Sequence, residues 1–261
     1  MLPSPAEIAN RDARRLALVF EELGGVGRPL ADGWMAGDVP GSWAIYAAGV
    51  GVARGPTDAE LDELVEWYDD RGMDARIQVH PYLHADLHRG LAKRGFVVDE
   101  LVTLLGHPLT DLPPIDAPPG LSFRSIDRSS LADRAAWVAA QLDGFHDDGR
   151  PPAGIRPITE RVARADRCRL WVLEFEGRVV GSGGLECFEG TSVLIAGAVS
   201  KAWRRRGFQS AFVRQRLQAS QAAGDAYALV GSVAGGPTER NALRVGFRPV
   251  CTLIDLVRPR R

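Results

Sequence analysis

The sequence has 261 residues, 45% of them hydrophobic and 25% charged, and its 32 basic and 33 acidic side chains leave a formal net charge of −1. A chain of this length predicts two domains. Its near-neutral charge provides no global basic field that would attract nucleic acid or a membrane surface, so neither is expected as a partner.

The three cysteines, Cys168, Cys187 and Cys251, are far apart and form no C-x-x-C pair. This spacing disfavours a disulfide framework or a zinc site and suits a reducing compartment. The N-terminal residues contain no apolar segment typical of a signal peptide, and no window approaches about 18 uninterrupted apolar residues. We therefore expect a cytoplasmic protein.

The first half of the sequence alternates helix and strand signals. The capping box SPAE at residues 4–7 predicts the start of one helix, and PTDAE at residues 56–60 predicts the start of another. Between them, SWAIYAAGVGV at residues 42–52 predicts a buried strand. Further along, the predicted order is strand, helix and strand, at residues 75–79, 83–94 and 96–105.

Three histidines of this half, His80, His84 and His88, have the spacing of metal ligands on a helix. Pro81 separates His80 from the predicted helix, and no glutamate occupies the position that it has in the H-E-x-x-H motif. We therefore expect no metal site.

A proline-rich segment separates the two halves. Residues 110–120 contain four prolines in a short polar stretch, which predicts an extended connection. We place a linker at residues 111–119, between a domain of residues 1–110 and a domain of residues 120–261.

The second half predicts an antiparallel meander followed by alternating helices and strands. A strand begins at Leu121, Ser130 caps a helix, and residues 144–154 form a glycine- and proline-rich loop. The remaining predicted elements are three strands at residues 170–175, 179–187 and 193–199, a helix at 208–223, a strand at 227–230 and a short helix from about Thr238 to Gly246-Phe247.

The basic turn before the helix at residue 208 has the features of an anion site. The first N–H groups of a helix have no intrahelical partner and lie at the positive end of the helix dipole, where a diphosphate can bind. Gly207 has no Cβ and lets a ligand approach the backbone, while Arg204, Arg205 and Arg206 add positive charge. The turn is therefore predicted to bind a phosphorylated ligand.

The motif Arg204-x-x-Gly207-x-Gln209 resembles the cofactor loop of the GNAT N-acetyltransferase superfamily, whose backbone amides hold the pyrophosphate of acetyl-coenzyme A. Gln209 departs from that pattern, because the family usually has Gly or Ala there; its side chain could crowd the phosphates or form hydrogen bonds with them. The sequence NALRVGF from Asn241 resembles the family's late N-x-x-R-x-G-F motif, in which the Asn lies near the pantetheine arm.

This resemblance implies an α/β (α+β) fold with two GNAT domains, each a mixed, mostly antiparallel twisted sheet flanked by helices. It also implies that acetyl-coenzyme A is a co-substrate and that no metal takes part. In the family, a backbone N–H of the strand before the basic turn binds the thioester carbonyl. The cofactor-binding residues implied here are Ala198, Val199, Arg204, Arg205, Arg206, Gly207, Phe208, Gln209 and Asn241.

The first half resembles a degenerate copy of the same domain. RGLAKRGF at residues 89–96 echoes the late motif, but VGVARGP at residues 50–56 has no basic glycine turn, and Pro56 lacks a donor that a phosphate would need. The alternative is an unrelated small α/β domain. We therefore predict that cofactor binding resides in the second half alone.

The catalytic groups are predicted from strand positions. Glu186 lies on the strand beside the cofactor strand and is the proposed base; His146, Asp147 and Asp148 are the alternatives. Many relatives have a tyrosine as general acid at the position of Ala242, so protonation of the thiolate is left to water or Cys251.

The predicted function is an N-acetyltransferase that moves an acetyl group from acetyl-coenzyme A to a primary amine by direct attack in a ternary complex. The expected partner is a small-molecule or peptide amine, and a homodimer is left open. The alternative function is a non-catalytic acyl-coenzyme A sensor or interaction module.

Overall fold

The computed structural model describes residues 2–23, 25–38 and 41–260, and these form two compact units. The first unit comprises residues 3–104 and 250–260, and the second comprises residue 2 and residues 105–249. Each unit has its own cluster of buried hydrophobic side chains.

Helices and strands alternate along most of the chain. The helices are α1 (Pro5–Glu22), α2 (Asp58–Asp69), α3 (Ala85–Lys93), α4 (Leu131–Phe145), α5 (Ile155–Val162), α6 (Phe208–Ala222) and α7 (Pro237–Arg244), with a 3₁₀ turn at Lys201–Trp203. The strands are β1 (Gly27–Leu30), β2 (Gly33–Ala36), β3 (Ala47–Ala48), β4 (Ala75–Val79), β5 (Val97–His107), β6 (Leu121–Ser125), β7 (Cys168–Phe175), β8 (Arg178–Phe188), β9 (Thr191–Val199), β10 (Tyr227–Val233) and β11 (Arg248–Arg258).

Both predicted helix starts of the first unit are confirmed. The Ser4 hydroxyl accepts a hydrogen bond from the Glu7 N–H, and the Glu7 carboxylate accepts one from the Ser4 N–H at 2.9 Å. Thr57 and Glu60 make the same reciprocal pair at the start of α2. These bonds satisfy N–H groups that a helix start leaves without a partner.

The predicted strand at residues 42–52 is wrong. Only Ala47–Ala48 pair as a strand there, β3. Gly49 and Gly51 have φ of 74° and 84°, in the left-handed region, so the chain turns instead of continuing in an extended conformation. The hairpin of β1 and β2, which closes between Leu30 and Gly33, was not predicted from the sequence.

The sheet of the first unit includes a strand from the far end of the sequence. Its order is β1-β2-β3-β4-β11-β5, with β3 and β4 parallel. β11 pairs antiparallel with β4, from Ile254 opposite Val79 to Arg258 opposite Ala75. The predicted second domain, residues 120–261, therefore differs from the observed second unit, because residues 250–260 pack with the first unit and residues 254–258 pair with β4.

The second unit contains the predicted meander. Its strand order is β10-β9-β8-β7-β6, in which β9 and β10 are parallel and the other neighbours are antiparallel. α6 connects β9 to β10, as expected because parallel strands need a crossover. The fully buried Phe208 and Phe212 of α6 pack in the core of this unit.

The proline-rich segment, residues 111–119, forms no helix or strand and packs along the second unit. The Leu109 carbonyl, just before it, accepts a hydrogen bond from Nε2 of Gln221 at 2.7 Å. Leu112 packs against the core of this unit, and Pro118 lies close to Gly207. The segment is therefore fixed at several points along its length.

Candidate functional site

The candidate site begins where β9 and β10 separate. Their parallel ladder runs only from Thr191 opposite Tyr227 to Val193 opposite Leu229, although both strands continue beyond it. The edge of β9 after Val193 therefore faces an opening instead of a neighbouring strand.

A bulge in β9 lies beside this opening. The β8–β9 register shifts between Ser182 and Gly184, and Ala196 has a φ of 54°. A bulge leaves an extra residue outside the ladder, so its backbone groups need other partners. Three side chains supply donors to three successive carbonyls: Nη1 of Arg216 to Ile195 at 3.1 Å, Nε2 of Gln141 to Ala196, and Nε2 of Gln209 to Gly197 at 3.4 Å.

The basic turn lies next to the bulge. Gly207 is the N-cap of α6, has a φ of 81° and provides no side chain to cap the helix. The first N–H groups of α6 are therefore available to an anion. The Arg206 guanidinium lies 4.8 Å over the ring of Trp203, so this arginine stacks on the turn instead of facing the opening.

A cavity of about 550 Å³, here called the outer cavity, lies in front of this turn. Eight of the nine predicted cofactor residues line it; Arg206 does not. The lining also includes residues that sequence reasoning missed, among them Trp203, Thr238, Arg240 and Arg244. The structure thus brings the basic turn, the end of β9 and α7 around one cavity.

Arg204 fixes the loop that follows α4. Its guanidinium donates two hydrogen bonds to the Asp147 carboxylate, at 2.6 and 2.8 Å, one to the Gly144 carbonyl and one to the Val199 carbonyl. The bonds from Arg204 hold the pKa of Asp147 below its ordinary value. The ion pair therefore contributes stability above pH of about 4, and this contribution is lost as the pH falls below that value.

Replacing Asp147 with asparagine is expected to loosen residues 146–154 at pH 7. The change removes the charge that holds Arg204, while both side chains are exposed enough that global stability changes little. Amide hydrogen exchange should become faster in this loop and stay unchanged in α6. Asp148→Asn is the matched control, because Asp148 bonds only the nearby Arg150 N–H; equal exchange in both variants would contradict the anchoring role.

A smaller cavity of about 150 Å³, here called the inner cavity, lies deeper between the strands and helices of the second unit. The two cavities share five lining residues: Phe145, Gly197, Gln209, Thr238 and Asn241. Arg216 of α6 lines only the inner cavity, and its side chain is buried, with 2% of the residue exposed. Burial lowers the pKa of its guanidinium to about 9.

No family model matches the sequence, and comparison with curated proteins finds no match. Solved structures do resemble it. A GCN5-related N-acetyltransferase from Kribbella flavida is 17% identical with a TM-score of 0.69, and the similarity covers 95% of each chain. The chain has the GNAT fold.

Two further solved structures share this fold. A GCN5-related N-acetyltransferase from Sphaerobacter thermophilus is 16% identical with a TM-score of 0.61, over 82% of this chain and 71% of that one. A tandem GNAT protein from the clavulanic acid biosynthesis pathway is 14% identical with a TM-score of 0.57, over 77% and 68%. The predicted mixed α/β fold class, with a mostly antiparallel sheet flanked by helices, is confirmed.

In this GNAT fold, Glu186 lies opposite the last residue of the β9–β10 ladder, and its side chain is buried. It is paired with Cys168 of β7 and Val193 of β9, is 3% exposed and has Oε1 3.8 Å from Nη1 of Arg167. It lines neither cavity. Val193 precedes Val199 by roughly 20 Å of strand. The carboxylate is therefore not exposed to an incoming amine, whereas the predicted role as base requires such exposure.

The other predicted catalytic groups also lie outside the cavities. His146 approaches the Leu142 carbonyl at 3.1 Å and lines neither cavity, although its neighbour Phe145 lines both. Cys251 is absent from both linings, and Ala242 lines the inner cavity without a polar group. In this GNAT fold, backbone groups, arginines and amide side chains thus dominate the polar lining.

Residues 2–23, 25–38 and 41–260 contain no group of three or more His, Cys, Asp or Glu side chains arranged to hold a metal ion. Over the same residues, every helix is too short or too polar to cross a membrane.

Proposed function

We propose that the second unit binds acetyl-coenzyme A in the outer cavity and transfers its acetyl group to a primary amine. The observation that carries this proposal is the position of the strand opening beside the N-terminus of α6, with eight predicted cofactor residues around one cavity. A buried, mostly preformed cavity with a few polar groups is the usual form of a ligand site.

The residues around the outer cavity fit a coenzyme A ester. The uncapped N–H groups after Gly207 suit its diphosphate, and Arg205, Arg240 and Arg244 add positive charge to the lining. Asn241 lines both cavities and provides amide groups between them. Coenzyme A supplies the thioester, which makes the acyl carbon open to attack.

The transfer requires one bond exchange and two proton movements. The neutral amine nitrogen forms a bond to the thioester carbonyl carbon, and the carbon–sulfur bond breaks. The nitrogen gives up a proton and the thiolate takes one up, so the products are an amide and a thiol. A backbone N–H group at Ala198 or Val199 is proposed to stabilise the negative charge that develops on the carbonyl oxygen.

The base that the sequence predicted, Glu186, is tested by Glu186→Gln. A positioned general base typically contributes about 10²- to 10⁴-fold to the rate. Because the carboxylate is buried outside both cavities, we expect turnover at pH 7 to fall by less than about threefold, with the amine losing its proton to solvent. A loss of about a hundredfold that is partly rescued at high pH would instead establish Glu186 as the base.

The proposed function is tested by release of the coenzyme A thiol from acetyl-coenzyme A in the presence of a panel of primary amines. We expect release that depends on an added amine and saturates with both substrates. Saturable acetyl-coenzyme A binding without thiol release for any amine would favour the sensor alternative. No binding at all would overturn both functions.

A further inference from the structure

Arg216 is a buried charge of the second unit that the proposed reaction does not use. It is on α6, two turns after Phe208, on the same face as Phe212, whose ring lies 4.3 Å from its guanidinium carbon. This face packs into the core, so the sequence brings a cation into an apolar environment. Its guanidinium lines the inner cavity.

Only part of the guanidinium is hydrogen-bonded. Nη1 donates to the Gly184 carbonyl at 3.3 Å and the Ile195 carbonyl at 3.1 Å, and Nε lies 3.5 Å from the Phe212 carbonyl. Within the described residues, Nη2 has no acceptor, and no carboxylate lies within ion-pair distance of the group. Guanidinium has five N–H donors in a fork that fits a carboxylate.

A buried charge without an anion is unfavourable unless a ligand compensates it. Although burial lowers the pKa of Arg216 to about 9, the group is still protonated at neutral pH. A Cβ on Gly197 would lie 2.8 Å from Nη2, so the absence of a side chain there keeps this nitrogen at the cavity wall. The geometry thus presents a donor pair and a positive charge to the inner cavity.

The inner cavity has the size of a short acyl group with a polar end. A cavity of about 150 Å³ can hold benzene, which is larger than an acetyl group and close in size to a short dicarboxylic acyl group. It shares Gly197, Gln209 and Asn241 with the outer cavity, so a chain bound in the outer cavity can extend into it.

We infer that the acyl donor carries a carboxylate at the far end of its acyl group, as in malonyl- or succinyl-coenzyme A, and that Arg216 binds this carboxylate in the inner cavity. This inference rests on the proposed function and names its donor class. The carboxylate is unchanged by the transfer, so the product is an amide with a free acid group. Acetyl-coenzyme A is then the weaker of the two donor types.

The test is calorimetric titration of the full chain with malonyl-coenzyme A and with isovaleryl-coenzyme A, which has nearly the same shape without the charge. We expect malonyl-coenzyme A to bind about tenfold to a hundredfold more tightly, because the carboxylate gains charged hydrogen bonds. Arg216→Met should abolish this difference, and Arg216→Lys should keep part of it. Equal affinity of the wild-type protein for the two esters would overturn the inference, whatever the variants do.

Arg214→Met is the matched control. It removes an arginine from the same helix, but Arg214 lines neither cavity. Its Nη1 lies 3.8 Å from Oδ2 of Asp116. The malonyl preference should persist in this variant. Its loss there, with normal circular dichroism, would show that the preference comes from general charge, and would contradict a specific role of Arg216.

A second experiment distinguishes whether Arg216 binds a carboxylate of the acyl donor or one of the amine acceptor. Protein saturated with acetyl-coenzyme A is titrated with β-alanine and with propylamine, and we expect no preference that depends on Arg216. A β-alanine preference that Arg216→Met removes would assign the carboxylate to the acceptor and overturn the inference. If neither acetyl- nor malonyl-coenzyme A binds, the proposed function itself fails; if acetyl- and isovaleryl-coenzyme A bind as well as malonyl-coenzyme A, only the inference fails.

Discussion

Gly207→Val is expected to weaken acyl-coenzyme A binding by at least about tenfold, which is about 1.4 kcal/mol. Gly207 has a φ of 81°, a conformation that a β-branched residue rarely adopts, so the turn must shift or store strain of roughly 1–3 kcal/mol. The ideal Cβ position lies 3.6 Å from Cγ of Pro118, so the γ-methyl groups of valine would crowd this proline beside the basic turn. Isothermal titration with acetyl-coenzyme A measures the change.

Gly224→Val is the matched control for this variant. Gly224 follows the other end of α6, has a φ of 80° and has no atom within 4 Å of an added Cβ. The Gly224→Val variant introduces similar backbone strain at a position roughly 25 Å from the basic turn. Its affinity should stay near the wild-type value. Similar losses in both variants would point to general destabilisation, and unchanged affinity in Gly207→Val would remove the basic turn as the phosphate site.

Phe212→Ala is expected to lower the free energy of unfolding of the second unit by about 3–5 kcal/mol. Phe212 is 0% exposed, and its ring stacks on Phe123 with centroids 5.7 Å apart. Removing the ring leaves a cavity beneath the β9 bulge and takes away the aromatic surface under Arg216. Urea denaturation of the full chain, followed by circular dichroism, measures the change from the midpoint and slope.

Phe145→Ala makes the same chemical change at a side chain that is 57% exposed, and its effect should stay within about 1 kcal/mol. If the two variants lost equal stability, the burial of Phe212 would not explain its effect. The affinity of the folded Phe212→Ala protein for isovaleryl-coenzyme A then shows whether the ring also maintains the shape of the inner cavity.

Features set by neighbouring residues could be read from the sequence. The helix starts at Ser4, Thr57 and Ser130 depend on hydrogen bonds that span three residues, and the structure contains all three. α5 was not predicted, although Pro157 is compatible with it, because this proline lies in the first turn, where a missing N–H is tolerated. The strand predicted at residues 42–52 failed because an apolar run does not show where the backbone becomes left-handed.

The same distinction between local and long-range features applies to the candidate site. The basic turn is a short local motif, so it could be predicted from the sequence, and eight of the nine predicted cofactor residues line one cavity. The position of Glu186 depends on register between strands, which a strand prediction does not provide. The burial of Arg216 could have been predicted, because Phe208, Phe212 and Arg216 are spaced four residues apart and therefore lie on one helix face.

The pairing of β11 with β4 affects the order in which the chain can fold during synthesis. β11 lies between β4 and β5 in the first sheet, but the whole second unit is translated before β11. Translation proceeds at about 5–20 residues per second, so the edges of β4 and β5 that pair with β11 stay unpaired for on the order of ten seconds. Unpaired strand edges promote association with other chains. The second unit can complete its core first, and the nascent first unit is the part of the protein for which chaperones should matter most.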